Sequence, residues 1–423
     1  MLIAFRTSFM TFWLFIVLLI ICTSYLLEVV VSILNVKALS PDLPEEFTDT
    51  LSPKEYLDSQ EYTRTTTFFT LIESSYTVSL TLLFIVFNGF QYLDVFARRY
   101  ADNEICAGLL FTGTFLFLSF FSRLPFSIYF TFVIEERFGF NKTTYKTFML
   151  DILKGTFLVV LIGGPLLALI FWFFIHSGPY GWLFCWIAAV VLSILLQYLA
   201  PVVILPLFNT FTPLPEGQLR NIILDYAQKQ KFVIQDIFTM DGSKRSRKLN
   251  AFFIGFGKFK KIVFFDTLLE KLNEREVLAV LAHEMGHYKL NHILKMILAS
   301  ILQSGIMFYL LSVFLHTKGI GDAFGVELPS VYASLVFFGF LYAPINLLVS
   351  ILFHAISRNH EFAADNYATM TTGSADMLIT SLKKLSKANL ANLTPHPLKV
   401  FIYYSHPPLL ARIQRMRQHN TPI

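Results

Sequence analysis

Charge is scarce in this sequence. Asp, Glu, Lys and Arg make up 15% of its 423 residues, against about 25% in an ordinary soluble protein. Between Lys154 and Glu216 none of the four occurs. That interval has room for two helical spans of a bilayer, each needing about 20 apolar residues. Cysteine is nearly absent as well. Cys22, Cys106 and Cys185 stand apart in apolar segments, with neither CxxC spacing nor an even framework. Their spacing argues against a disulfide scaffold or a cysteine metal site, and the three read as small core residues. No basic block is interleaved with aromatics, and the net charge of +5 is scattered. Nucleic acid is therefore not expected as a partner. Internal repeats and low-complexity tracts are also missing.

What is present is apolar. Hydrophobic residues reach 55% of the chain, Phe alone contributes 46, and mean hydropathy is +0.57. The fold class is an α-helical polytopic membrane protein with seven spans, at about 9–33, 69–92, 106–132, 155–176, 181–204, 294–316 and 329–356. The first follows Arg6, exceeds a signal-peptide core and lacks a small-residue cleavage site, so it reads as retained. The third contains Arg123-Leu124-Pro125 and is expected to kink or re-enter, because proline removes a backbone donor. Glu28 and Glu73 fall in or beside spans. Carboxylates there are functional candidates by default, although a place near the interface is the simpler reading.

Polar residues gather in 37–66, which is acidic, in 205–292 and in the tail 357–423. With seven spans, the first, third and fifth loops share one side with the tail. Lys and Arg are dense in the fifth loop, from Lys244 to Lys261, and in the tail, from Lys383 to Arg417. The positive-inside rule puts that side in the cytoplasm, with Arg98 and Arg99 running against it. Sequons at Asn141 and Asn392 would then be idle. The expected division is 1–204 for the first five spans, 205–293 for a catalytic region, 294–356 for the last two spans, and 357–423 for a C-terminal catalytic segment.

One constellation carries chemistry. Glu274–Asn291 reads as a helix bearing His283-Glu284-Met285-Gly286-His287. Histidines four apart lie one turn from each other on one face, so both rings can reach one cation while Glu284 projects beside them. A catalytic zinc takes three protein ligands and keeps a position for water. Downstream, Glu361 and Asp365 are also four apart, within Ser357-Arg358-Asn359-His360-Glu361-Phe362-Ala363-Ala364-Asp365. Glu361 suits the third ligand, and Asp365 suits the acceptor of a ligand histidine's free ring N–H. His360 is the rival ligand, but one residue turns it about 100° away. One Zn2+ per chain follows, with Glu284 as the base that takes a proton from the attacking water. Donors for the carbonyl oxyanion are sought among Tyr403, Tyr404, His406 and Arg412. Asn250–Gly255 and Lys261–Asp266 flank Phe256–Lys260 and read as a hairpin. Its edge could take an extended peptide as an added strand, or it could be an ordinary half-buried hairpin.

These residues together resemble the integral-membrane gluzincins of the CAAX prenyl protease 1 family. The similarity runs through Leu124-Pro125-Phe126, Glu135-Glu136-Arg137-Phe138-Gly139, Pro206-Leu207-Phe208-Asn209, Asn250-Ala251, the zinc helix, the Glu361 segment and Tyr404-Ser405-His406-Pro407-Pro408. It implies seven helices around a large chamber, with a gluzincin-type zinc protease domain. It also implies zinc on His283, His287 and Glu361, Glu284 as base, Asn250 and Ala251 on the substrate edge, and His406 and Arg412 holding substrate or oxyanion. The implied activity is C-terminal processing of prenylated peptides or proteins in contact with membrane lipid. Lys248, where the family often has histidine, and the short stretch Glu270–Glu276 depart from animal members and point to a bacterial or minimal one. The expected membrane is accordingly a bacterial inner membrane or the endoplasmic reticulum. A quality-control protease indifferent to prenylation is the alternative. A non-catalytic membrane binding or transport protein with structural zinc would have no need of Glu284.

Overall fold

The computed structural model describes residues 12–254, 261–317, 324, 326, 328 and 330–419. In chain order the helices are α1 Phe12–Lys37, α2 Pro53–Val86, α3 Gly89–Tyr100, α4 Glu104–Arg137, α5 Tyr145–His176, α6 Gly178–Phe208 and α7 Gln218–Lys229. They continue as α8 Asp266–Lys271, α9 Glu274–Lys289, α10 His292–Leu315, α11 Val331–Thr372, α12 Ala375–Ala388, α13 Pro397–Tyr403 and α14 Leu409–His419. Among the described residues seven of these (α1, α2, α4, α5, α6, α10 and α11) are long and apolar enough to cross a membrane. All seven expected spans are present.

The second differs from expectation in its bounds, and the third resolves the choice left open for it. The second starts at Pro53, because Ser52 caps it. The Ser52 hydroxyl accepts the Glu55 N–H at 3.3 Å, and the Glu55 carboxylate accepts the Ser52 N–H at 2.9 Å. This reciprocal cap followed by proline is a strong helix start. The same helix stops at Val86, since Asn88 takes a left-handed conformation at φ 55°. At Gly89 a Cβ would sit 2.5 Å from the Phe84 ring, so the corner into α3 needs glycine. The third span does not re-enter but runs on as one helix. Pro125 stays inside the helix, and a wider π-type turn follows at Phe130–Ile134.

The spans bury little of themselves. In the most apolar window of α6 nothing is buried, and in that of α2 only 6% is. Apolar helix surface left uncovered by protein suits contact with lipid. This overturns the reading of all three cysteines as core. Cys185 is buried, but Cys22 and Cys106 are exposed. Glu28 accepts a hydrogen bond from Ser74 at 2.8 Å, and Glu73 pairs with Arg123 at 2.9 Å. The membrane half is centred on buried aromatics, among them Phe90, Phe111, Phe171 and Phe337.

A second core lies under a four-stranded sheet of order β1-β2-β4-β3, formed by Phe211–Pro213, Asp236–Met240, Ala251–Ile254 and Lys261–Phe265 as β1 to β4. The hairpin read from the sequence is β3–β4, antiparallel with Ala251 opposite Phe264. Its tip, Phe256–Lys260, lies outside the described residues. Strand β4 runs parallel to β2 on its other side, which leaves β3 at an edge.

The scattered charges find each other. Lys383, 4% exposed, reaches Glu46 at 2.8 Å and Asp49 at 3.1 Å. Lys387 pairs with Glu55 at 2.9 Å and Arg417 with Glu46 at 2.6 Å. The acidic first loop is therefore docked on the basic tail. Asn141 of the third loop bridges Ser246 of the fifth. Leu249 of the fifth loop donates its N–H to Asn389 of the tail at 2.9 Å, so the first, third and fifth loops and the tail meet on one side of the bundle.

Candidate active site

Helix α9 starts at a second reciprocal cap. The Asn273 side chain accepts the Glu276 N–H at 3.0 Å, and the Glu276 carboxylate accepts the Asn273 N–H at 2.9 Å. Val277, Leu281 and Ala282 bury one face in the sheet-side core. The next turn must approach α11 closely. A Cβ on Gly286 would stand 3.0 Å from the Ala364 Cα and 3.2 Å from its carbonyl oxygen. Without a side chain there, the two backbones touch, and Glu361 on α11 is brought opposite the α9 histidines. Helix α11 runs for 42 residues without interruption. The rigid end of the seventh span itself therefore carries Glu361 and Asp365.

His283, His287 and Glu361 each present a ligand atom, all within 4.8 Å of one another. The two Nε2 atoms are 3.2 Å apart. His283 Nε2 is 3.4 Å from Glu361 Oε2, and His287 Nε2 is 3.3 Å from Oε1. Glu361 Oε2 is buried with no hydrogen-bond partner, although Arg412 Nη1 approaches to 3.4 Å. A buried carboxylate with one orphaned oxygen, its two oxygens set opposite two imidazole Nε2 atoms, fits a cation. Two histidines and a glutamate are a known catalytic zinc set.

Behind the ligands, Asp365 accepts from His283 Nδ1 at 2.9 Å. Asp365 is in turn held by Arg412 through Nη2 at 2.6 Å and Nε at 2.8 Å. Burial disfavours charge on His283, but the adjacent carboxylates of Asp365 and Glu361 outweigh it and lift its pKa to about 9. Burial likewise opposes the Arg412 charge, and Asp365 more than compensates, raising its pKa.

The oxyanion candidates separate in space. Arg412 is buried, and its nitrogens face carboxylates. Tyr403 carries Lys399 over its ring at 4.4 Å. His406 is exposed, with Nε2 3.3 Å from Glu361 Oε1 and Nδ1 3.0 Å from the Ser405 hydroxyl. Its loop is fixed by Arg358, whose Nη1 donates to the Tyr404 and Val400 carbonyls at 2.7 and 3.1 Å. His360 lies outside the ligand group and stacks on His292.

A cavity of about 700 Å³ opens at the site, lined by Glu284, His287, Phe252, Phe253 and, deeper between α6 and α10, Gln197 and Ser300. The half-buried Glu284 carboxylate thus faces open space beside the edge strand. Asn250 is exposed just before that strand, its carbonyl accepting the Phe265 N–H at 3.1 Å, and Ala251 begins it. Lys248 anchors this corner by pairing with Glu135 at 3.0 Å and Tyr62 at 2.9 Å. Sequence reasoning did not single out Gly286, Arg358 or His292. Local spacing carries no sign of the first two, since their partners lie far along the chain.

Comparison with known proteins shows what the chain as a whole is similar to. Residues 32–210 match the family described as CAAX prenyl protease N-terminal, five membrane helices, and residues 213–420 match peptidase family M48. The chain is 36% identical to the CAAX prenyl protease 1 homolog of Arabidopsis thaliana, covering 92% of this chain and 94% of that one. It is 33% identical to the Homo sapiens homolog, covering 89% and 90%. The crystal structure of S. mikatae Ste24p superposes with a TM-score of 0.91 at 30% identity, covering 96% of this chain and 99% of the other.

Proposed function

We propose that this chain, which belongs to peptidase family M48 and carries the membrane segment of its CAAX prenyl proteases, is a zinc endopeptidase that trims prenylated C-termini. As a member of that family it is an integral membrane protein, a metallopeptidase, and acts on peptide or protein substrates. The convergence of His283, His287 and Glu361 beside the half-buried Glu284 carries the reading. One zinc per chain would be held by those three residues. When bound, zinc lowers the pKa of its water to about 7 and polarises the carbonyl.

The chain's own groups supply the rest. Glu284 takes the proton from the attacking water and returns it to the leaving amine. His406, at the mouth of the site, donates from Nε2 to the oxygen that becomes negative. Arg412 and Asp365 hold His283 with its proton on Nδ1 and its Nε2 lone pair turned inward. An extended peptide added to β3 from Asn250 and Ala251 onward would run past Glu284, with its direction fixed by main-chain hydrogen bonds. Cations dense in the fifth loop and tail favour a cytoplasmic site. Eukaryotic relatives favour the endoplasmic reticulum over a bacterial membrane.

A farnesylated CAAX peptide and its unprenylated twin, assayed side by side, test the substrate. Faster turnover of the farnesylated form is expected. Equal turnover would reject recognition of the lipid in favour of a general quality-control role, and cleavage of neither would reject CAAX processing.

A further inference from the structure

We propose that His292 is the positioning residue for His287, accepting the Nδ1–H of that ring so that Nε2 stays free for the metal. This rests on the zinc reading above. A neutral imidazole that gives its Nε2 lone pair to a cation must carry its proton on Nδ1, and ligand histidines nearly always hand that proton to a fixed acceptor. For His283 the acceptor is Asp365. Among the described residues the partner of His287 Nδ1 is His292 Nδ1, 3.2 Å away. Two ring nitrogens in contact cannot both donate. Since His287 is the donor, His292 accepts on Nδ1 and keeps its own proton on Nε2.

The backbone is shaped for this contact. On an unbroken helix, five residues would turn His292 about 140° from His287. The helix does break. α9 ends at Lys289, and Asn291 takes φ 57° and ψ 30°, a left-handed state that asparagine tolerates better than most residues. α10 then begins at His292, whose ring is thereby directed back to His287. His292 is only 5% exposed. Its ring lies flat on His360, with centroids 3.9 Å apart and planes within 6°, so its orientation is fixed from the other side as well.

The test is Zn2+ affinity, measured on the full chain in detergent after stripping, by competition with a chromophoric chelator. His292→Asn keeps a carbonyl oxygen where Nδ1 stands and should bind within a few-fold of the unaltered protein. His292→Gln places its amide at the Nε2 position, and His292→Phe keeps only the stack. Both should bind about 10- to 100-fold more weakly. Melting of the stripped proteins reports folding separately and should be similar in all four. If Gln or Phe prevents folding, the Asn variant still decides, because weak binding by it contradicts the role. Equal affinity in all four proteins would overturn the proposal while leaving the zinc reading intact. An unaltered protein that binds no Zn2+ would remove both.

Discussion

Arg412 grips Asp365 with two nitrogens, Nη2 at 2.6 Å and Nε at 2.8 Å, and both residues are buried. Asp365 uses the same Oδ1 to hold His283 Nδ1 at 2.9 Å. A residue on α14 thereby sets the orientation of the His283 ring on α9, through a carboxylate on α11.

Arg412→Lys should therefore not behave as a conservative change. An ammonium cannot form the planar fork, so Asp365 would gain freedom and His283 would lose its fixed tautomer. Zinc affinity should fall about 10- to 100-fold, read by chelator competition. Unchanged affinity would place the role of Arg412 outside the metal site.

Gly286→Ala probes the contact between α9 and α11. The added Cβ meets the Ala364 backbone at 3.0 and 3.2 Å, which cannot rotate away. Overpacking of this kind costs about 1–3 kcal/mol. It should also push Glu361 away from the two histidines, so thermal stability and zinc content should drop together. Normal values of both would show that the helices separate without consequence.

Metal binding should release a proton. Before a cation arrives, His283 is held protonated up to a pKa of about 9. At pH 7.5 that proton must leave when Nε2 becomes a ligand, so affinity should weaken as pH falls below 9, up to about tenfold per unit from this group. Above pH 9 its contribution should vanish. Calorimetry in buffers of different ionisation enthalpy counts the protons; no release at pH 7.5 would contradict the coupling.

Lys383→Met removes a buried ammonium whose partners stay in touch with water, Glu46 half-buried and Asp49 exposed. Removing one partner of a fully buried pair typically costs about 3–5 kcal/mol. Glu46 also retains Arg417 at 2.6 Å, so the loss should fall between that and an exposed pair, at about 2 kcal/mol. Denaturation of the detergent-solubilised protein measures it. A loss below about 1 kcal/mol, the level of an exposed pair, would mean that the first loop is not anchored by this contact.

Hydropathy exposed all seven spans because bilayer thickness demands long apolar runs whatever the tertiary structure. The pairing of His283 with His287, and of Glu361 with Asp365, was legible because helical periodicity alone puts the members of each pair on one face. The start of α2 was legible in principle from Ser52-Pro53-Lys54-Glu55 but was hidden by its polar first turns. The Asn88 corner depends on Phe84 filling the space beside Gly89, a packing fact that no window reports. The same holds for Gly286 against Ala364, for Arg358 on the His406 loop, and for His292, whose five-residue offset from His287 argues against the contact until the helix breaks. Cys22 and Cys106 were misjudged because burial habits from soluble proteins do not carry over to helices facing lipid.

The most direct measurement is Glu284→Gln, assayed for zinc and for peptide cleavage on the same preparation. The substituted amide would keep the shape of the site and leave His283, His287 and Glu361 untouched. About one zinc per chain should remain while cleavage falls at least about 10²- to 10⁴-fold. Cleavage near the normal rate with zinc still bound would contradict the account, because the carboxylate beside the metal would then have no part in moving the proton.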